Sequence, residues 1–270
     1  LYENWLHTGS LSIKSPYCGP LTKDIEADCL VIGGGIAGLH AALCLVENGR
    51  KVVLLEKRIC GGSSSGQSAG FLTSESEEDM MQLIKKHGLT KAKAIYNVPV
   101  EGVNLIVNTI KKYKIKCDLR KQDCLYLSIK NSHNNRVEKE KQTREEMGLP
   151  YEFLNENDLQ RYYPGKGYKT GLKYPGSYGI NSFAYCQEIK SILIKKGVRI
   201  YEDTEVHKIE KNTAKTHLGS VTAKNIIICI DKMKKELDKE HSNEYYPLQV
   251  YLTVSEPLNE EEMKSMFPNG

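Results

Sequence analysis

Near the start of the chain, apolar positions form a run, then a periodic stretch, then a second run. Ala27 to Ile32 is a short apolar block ending in Gly33-Gly34-Gly35, the pattern of a buried strand meeting a turn. Residues 36–48 carry apolar side chains at helical spacing and stop at Gly49, and Val52 to Leu55 is a second buried block. The spacing predicts strand, helix and parallel strand. Residues 60–71, rich in Gly and Ser, are bracketed by structure and read as a binding loop. From residue 76 to about 114 the period is helical, with interruptions expected at Pro99 and Gly102; residues 123–129 then alternate as a strand. A charged helix is expected over 133–148, a short one over 155–162, and a strand over 168–174 turned by Pro175-Gly176. A helix over 183–196 stops at Gly197, strands follow at 198–201, 205–209 and 225–230, and 249–254 alternates as a half-exposed strand. No internal repeat is present. The fold class expected is α/β: a Rossmann-like unit with an antiparallel-sheet α+β domain inserted between and after its pieces.

Composition narrows the function classes. The net charge of +4 comes from 38 basic and 34 acidic residues, and the lysines are scattered along amphipathic segments. Lys85-Lys86, Lys111-Lys112, Lys195-Lys196 and Lys234-Lys235 read as solvated helix faces, so a nucleic-acid partner is not indicated. The eight cysteines include no Cys-x-x-Cys pair and no zinc spacing, which leaves no metal site expected. Reduced cysteines within apolar runs imply a reducing intracellular compartment, the cytoplasm, or the mitochondrial matrix if a targeting segment precedes Leu1. No apolar run approaches the ~20 residues needed to span a bilayer.

Gly33-x-Gly35-x-x-Gly38 lies between the first strand and the first helix, and Glu56 closes the second strand about 20 residues on. Gly33 permits the tight turn, Gly35 lets backbone approach a pyrophosphate, and Gly38 allows close helix packing. The helix start adds free amides and partial positive charge for a dianion. Glu56 suits two free ribose hydroxyls and disfavours a 2′-phosphate, which leaves FAD and NAD both open.

The stretch EADCLVIGGGIAGLHAALCLVENGRKVVLLEK followed by RICGGSSSGQSAGF resembles the FAD-dependent D-amino-acid-oxidase-like (DAO) superfamily. It is most similar to the branch holding gamma-glutamylputrescine oxidoreductase and related amine and amino-acid oxidoreductases. GLKYPGSYGINSFAY, Val198 to Ile209, Ile226 to Asp231 and YPLQVYLTVSEPL follow in that family's order, so the resemblance covers nearly the whole chain. The resemblance selects FAD. It implies that Gly33, Gly35, Ile36, Ala37 and Gly38 lie under the pyrophosphate, with Glu56 and the adjoining Lys57 at the ribose. Ser64, Ser65, Gln67, Ser68, Ala69 and Gly70 would follow the pyrophosphate and flavin, with Gln67, Ser68 and Ala69 standing where the branch has Arg, Asn and Gly. Val206 would receive the adenine, and Cys229 would end the strand nearest the cofactor.

The implied domains are an FAD-binding domain of residues 24–75 and 183–231, and a substrate domain of 76–182 and 232–270. Family members continue past this point, so a longer protein is expected, with a truncated paralogue as the alternative. The implied function is oxidation of an amine or amino acid, with dioxygen or another electron acceptor as second substrate; a non-catalytic flavin-binding subunit of a larger assembly is the rival. No catalytic acid or base is assigned. His40, the tyrosines at 245, 246 and 251, and Cys60 read as packing residues.

Overall fold

The computed structural model describes residues 15–75, 78–129, 134–231, 233–244, 248, 250–253 and 255–268. In chain order the elements begin with β1 (Ile25–Ile32), α1 (Ile36–Glu47) and β2 (Val52–Leu55). Next come β3 (Phe71–Leu72), α2 (Met80–His87), α3 (Leu89–Tyr113), β4 (Arg120–Ser128) and α4 (Asn134–Met147). These are followed by β5 (Glu152–Asn155), α5 (Glu156–Leu159), β6 (Thr170–Gly179), α6 (Ser182–Lys195) and β7 (Arg199–Tyr201). The last are β8 (Lys208–Glu210), β9 (Thr213–Lys215), β10 (Ser220–Ile228) and α7 (Glu260–Met266). The chain divides into two units: Leu1–Gly70, Ile115–Asp118 and Asn181–Leu252 form one, and Phe71–Lys114, Leu119–Ile180 and Thr253–Gly270 the other.

The first unit is built on a six-stranded sheet in the order β7-β2-β1-β10-β9-β8. Its first four strands are parallel, with Ile32 level with Leu55 of β2 and Ile228 of β10. Leu30, Ile32, Val53 and Leu55 share one apolar cluster with Leu21, Val206 and Val221. The alternate residues Cys29, Val31, Val52 and Leu54 are equally buried, so both faces of the parallel strands are covered. That coverage explains why these strands read as continuous apolar runs. From β1 the chain passes by way of α1 to β2 on one side, whereas β10 returns to the other side of β1. The carboxyl ends of β1 and β10 therefore flank a topological switch point, where open α/β sheets leave a crevice.

The β9–β10 hairpin and the first half of β10 lie outside the expected strands. Residues 220–224 are half polar, and their strand state comes from pairing with β9 and β1.

In the second unit β6 is central: β4 pairs along one edge, and β5 and β3 share the other, all antiparallel. Pro175-Gly176 does not turn the chain. The two residues lie inside β6 opposite Asp123, where the register with β4 shifts between Gln122 and Cys124. A bulge accepts a proline without an N–H and a glycine at φ +106°. Likewise α3 runs unbroken through Pro99. The lost amide bond falls on the exposed side near Ile95, while Ala92, Tyr96, Val103, Val107 and Ile110 bury one stripe on both sides of the proline. Arg144 is almost fully buried, 2.8 Å from Glu140 and stacked 3.4 Å over the Tyr174 ring.

Residues 250–253 are not a strand, and Tyr251 is exposed. Tyr245, Tyr246, Gln249 and Val254 lie outside the described residues. Among the described residues, no helix is long and apolar enough to cross a membrane.

Candidate functional site

The turn after β1 is dictated by steric contacts. Gly33 has φ +107°, and a Cβ there would meet the Cys229 carbonyl oxygen at 2.3 Å, so a side chain would force the turn off the end of β10. A Cβ on Gly38 would come within 1.9 Å of the Gly33 carbonyl oxygen, so glycine sets how closely α1 approaches the turn. On Gly35 a Cβ would lie 2.9 Å from Ser65 Oγ, and its absence leaves bare backbone at the start of α1. That helix has neither a side-chain cap from Gly35 nor an acidic residue in its first turn. Ser65 Oγ reaches across to accept the Ile36 amide at 3.1 Å.

Glu56 follows β2 and is 8% exposed. Its Oε2 accepts the Gly34 N–H at 2.7 Å and its Oε1 the Arg58 N–H at 2.9 Å. The carboxylate thus joins the glycine turn to the chain leaving β2. Backbone bonds from Gly61 N to Gly34 O, 2.8 Å, and from Thr204 N to Glu56 O, 2.8 Å, draw the Gly/Ser loop and the segment after β7 to the same place.

These segments enclose a cavity of about 280 Å³ in the first unit, at the carboxyl ends of β1, β2 and β10. Its size is just below the ~300–1,000 Å³ usual for ligand clefts. Gly33, Gly35, Glu56, Lys57, Ser64, Ser65, Val206 and Cys229 all line it. Ile36, Ala37 and Gly38 do not; they form the first turn of α1 behind it. Gln67, Ser68 and Ala69 are exposed and, with Gly70, lie outside the lining. Ser68 instead anchors the loop: its Oγ donates to the Ser65 carbonyl at 3.2 Å and lies 3.1 Å from Ser182 Oγ at the start of α6.

Several lining residues carried little advance signal. Gly61, Gly62 and Ser63 fall within the Gly/Ser stretch already singled out. Thr204, Glu205, Asp231, Lys234 and Leu237 come from polar connections whose spacing says nothing of a site. Lys234 Nζ sits 2.6 Å from Glu205 Oε1, and this contact holds the Glu205 carboxyl below the usual carboxylate range. With Lys57, it brings a second ammonium to a wall otherwise bounded by Glu56, Glu205 and Asp231.

The two tempting nucleophile and base candidates are packed. Cys60 is fully buried, and burial pushes its thiol well up, away from the reactive thiolate. His40 Nε2 lies 2.5 Å from Tyr185 Oη, with the rings stacked, so it joins α1 to α6. Chemically, the cavity combines a glycine cradle, a helix start without an acidic residue in its first turn, a nearly buried carboxylate and two ammonium groups. That set suits a ligand with vicinal hydroxyls and a diphosphate.

Comparison with known proteins follows the same line. The family described as DAO, FAD dependent oxidoreductase, matches residues 28–269. The chain is 29% identical over 260 residues to a probable oxidoreductase OrdL of Haemophilus influenzae, covering 93% of this chain and 60% of that protein. It is also 29% identical over 259 residues to the gamma-glutamylputrescine oxidoreductase of Escherichia coli, with the same coverages of 93% and 60%. The chain thus spans about three fifths of the length of these relatives. Among solved structures, glycine oxidase from Geobacillus kaustophilus superposes with a TM-score of 0.64 at 18% identity, over 79% of this chain and 58% of that one. L-Amino acid deaminase from Proteus myxofaciens gives 0.64 at 19%, over 80% and 48%. These two likenesses concern the fold.

Proposed function

Because the chain belongs to the FAD dependent oxidoreductase family and its cofactor is FAD, we propose that it oxidises an amine or amino acid and that the cavity of the first unit holds the adenosine and pyrophosphate of FAD. The observation that carries this reading is the convergence of Gly33, Gly35, Glu56 and the 61–65 loop on one cavity at the switch point of the sheet. The fit is testable in the residues themselves. A carboxylate has about four lone-pair positions, and Glu56 spends two on Gly34 and Arg58, which leaves capacity for two ribose hydroxyls. Gly35 leaves bare backbone at the start of α1 for a phosphate, and Gly33 lets the turn seat against the end of β10. Lys57 brings an ammonium to the cavity, Lys234 neutralises Glu205 beside it, and Val206 offers an apolar edge for the adenine. Residues 24–75 and 183–231, together with the cavity-lining Lys234 and Leu237, are accordingly assigned to the FAD-binding domain, with Gln67 to Gly70 directed along the flavin, and the other residues to the substrate side.

The chemistry that FAD supplies when bound is two-electron acceptance at N5, by which hydride leaves the substrate C–H and the resulting imine is hydrolysed. Dioxygen or another electron acceptor would be the second substrate. The relative named for gamma-glutamylputrescine supports the amine or amino-acid substrate class. A reducing intracellular compartment is the setting that eight free thiols support.

The test is anaerobic titration of the flavin-loaded protein with amines and amino acids, followed by absorbance. Bleaching of the flavin band is the expected outcome. Tight flavin that no amine or amino acid reduces would replace this reading with that of a flavin-holding subunit.

A further inference from the structure

A buried charge pair lies beside the cavity without lining it. Lys190 on α6 and Glu202 after β7 are 2% and 0% exposed, and Lys190 Nζ is 3.0 Å from each carboxylate oxygen of Glu202. The same carboxylate takes two further donors: the Cys60 N–H on Oε1 at 2.8 Å and the Cys18 N–H on Oε2 at 2.9 Å. One turn earlier on α6, Gln187 Nε2 donates to the Cys60 carbonyl at 2.5 Å. The two peptide groups of Cys60 are therefore gripped, one at its N–H through Glu202 and one at its C=O through Gln187.

Cys60 opens the loop whose residues 61–65 line the cavity. Glu202 also leads into the opposite wall, because Thr204 Oγ1 donates to the Glu202 carbonyl at 2.9 Å and Thr204 N donates to Glu56 O at 2.8 Å. One wall thus hangs from the Glu202 carboxylate and the other follows from its backbone carbonyl. A buried ion pair is weak evidence for stability, since desolvation offsets most of its attraction, so its placement here calls for another role. A carboxylate accepts four such hydrogen bonds at once, here from three donors, which neither an amide nor an apolar side chain can do.

We propose that Lys190, Glu202 and Gln187 form a positioning clamp on the Cys60 peptides that holds the 61–65 loop against the glycine turn and thereby sets the affinity for FAD. This rests on the reading that the cavity holds FAD. Lys190 holds the Glu202 carboxylate from α6, and that carboxylate keeps the loop amide of Cys60 in place.

The experiment compares the full-length apoproteins of the wild type, Lys190→Met, Gln187→Met and Glu202→Gln. FAD is titrated by quenching of its fluorescence, well below each melting temperature, and backbone hydrogen exchange is followed at residues 60–65. Arg144→Met, which breaks the buried Arg144–Glu140 pair of the second unit, is the destabilised control. A Kd for FAD raised at least ~10-fold in Lys190→Met and Glu202→Gln is expected, with a smaller rise in Gln187→Met, which removes one neutral hydrogen bond. Exchange at 60–65 should quicken in all three, and Arg144→Met should change neither readout. Lys190→Met/Glu202→Gln should bind no worse than the weaker single variant, because no uncompensated charge remains. Should Lys190→Met or Glu202→Gln fail to fold, Gln187→Met carries the test alone. Kd values within twofold of wild type, with lowered melting temperatures, would overturn the proposal and leave the pair purely structural. A wild type that binds no FAD would sink the cofactor placement instead. In that case exchange at 60–65 still decides the clamp: quicker in the variants supports it, and unchanged refutes it.

Discussion

At the scale of single residues, the strongest commitment of the site is Glu56. Its carboxylate is nearly buried and already bonded to Gly34 and Arg58, so an arginine there would both break those contacts and face two cavity-lining ammonium groups. Charge-assisted hydrogen bonds are worth about 1.5–3 kcal/mol each, so Glu56→Arg should weaken FAD binding by at least ~100-fold in a fluorescence titration. Unchanged affinity would refute the ribose placement. His40 gives a second residue-level test. Burial lowers its pKa below the ordinary 6.5, so the folded state resists a proton that the unfolded chain accepts. Its contribution to stability is therefore complete above about pH 6.5 and is lost as pH falls below that value. Denaturant melts of wild type and His40→Gln across pH 5 to 8 should show the acid-side loss shrinking in the variant. Neither the glycine roles nor the acidic strand end needed tertiary information, because each is a local consequence of a strand-turn-helix path. Lys190 did: a lysine on an amphipathic helix reads as solvated, and only the fold shows Glu202 opposite it.

At the scale of elements, α6 illustrates how local and non-local signals combine. Asn181 caps it by accepting the Ala184 N–H at 2.9 Å, and Gly197 follows its end with φ +85°. Asn181→Ala should cost about 1 kcal/mol, seen as a lower midpoint in urea with unchanged slope. If the midpoint does not move, the cap adds nothing beyond what packing of α6 already supplies. The elements that the pattern misassigned are instructive. A proline and a glycine in succession normally turn a chain, yet in β6 they fill a bulge whose existence depends on the register of β4. The Pro99 helix persists since one stripe of α3 is buried on both sides of it, and tertiary burial outweighs a local breaker. The β9–β10 hairpin was invisible because its residues are half polar and β9 is only three residues long, while the first half of β10 is held by pairing with the remote β1.

At the scale of the whole molecule, each of the two units is assembled from three segments of the chain, and FAD would bind inside the first. Ligand at ~1,000 times its Kd stabilises the unit that binds it by about 4 kcal/mol. Calorimetry with and without FAD should therefore show one transition moving to higher temperature and a second, from the unit built on β6, moving less. Equal displacement of all unfolding signal would mean that the two units melt as one.

What the sequence by itself determined is the βαβ start, the glycine turn and the acid after β2, together with the family they signal. Each arises within about 30 contiguous residues, where helical or strand period and backbone sterics act locally. The tertiary structure alone decided which distant segments complete the cavity. Thr204, Glu205 and Lys234 reach it through strand order and loop packing, and the Lys190–Glu202 pair exists because α6 and the end of β7 are brought together. The cavity contacts join segments far apart in the chain, and even Lys190 and Glu202, 12 residues apart, meet only where the helix turns back into β7, so neither helical nor strand period encodes them.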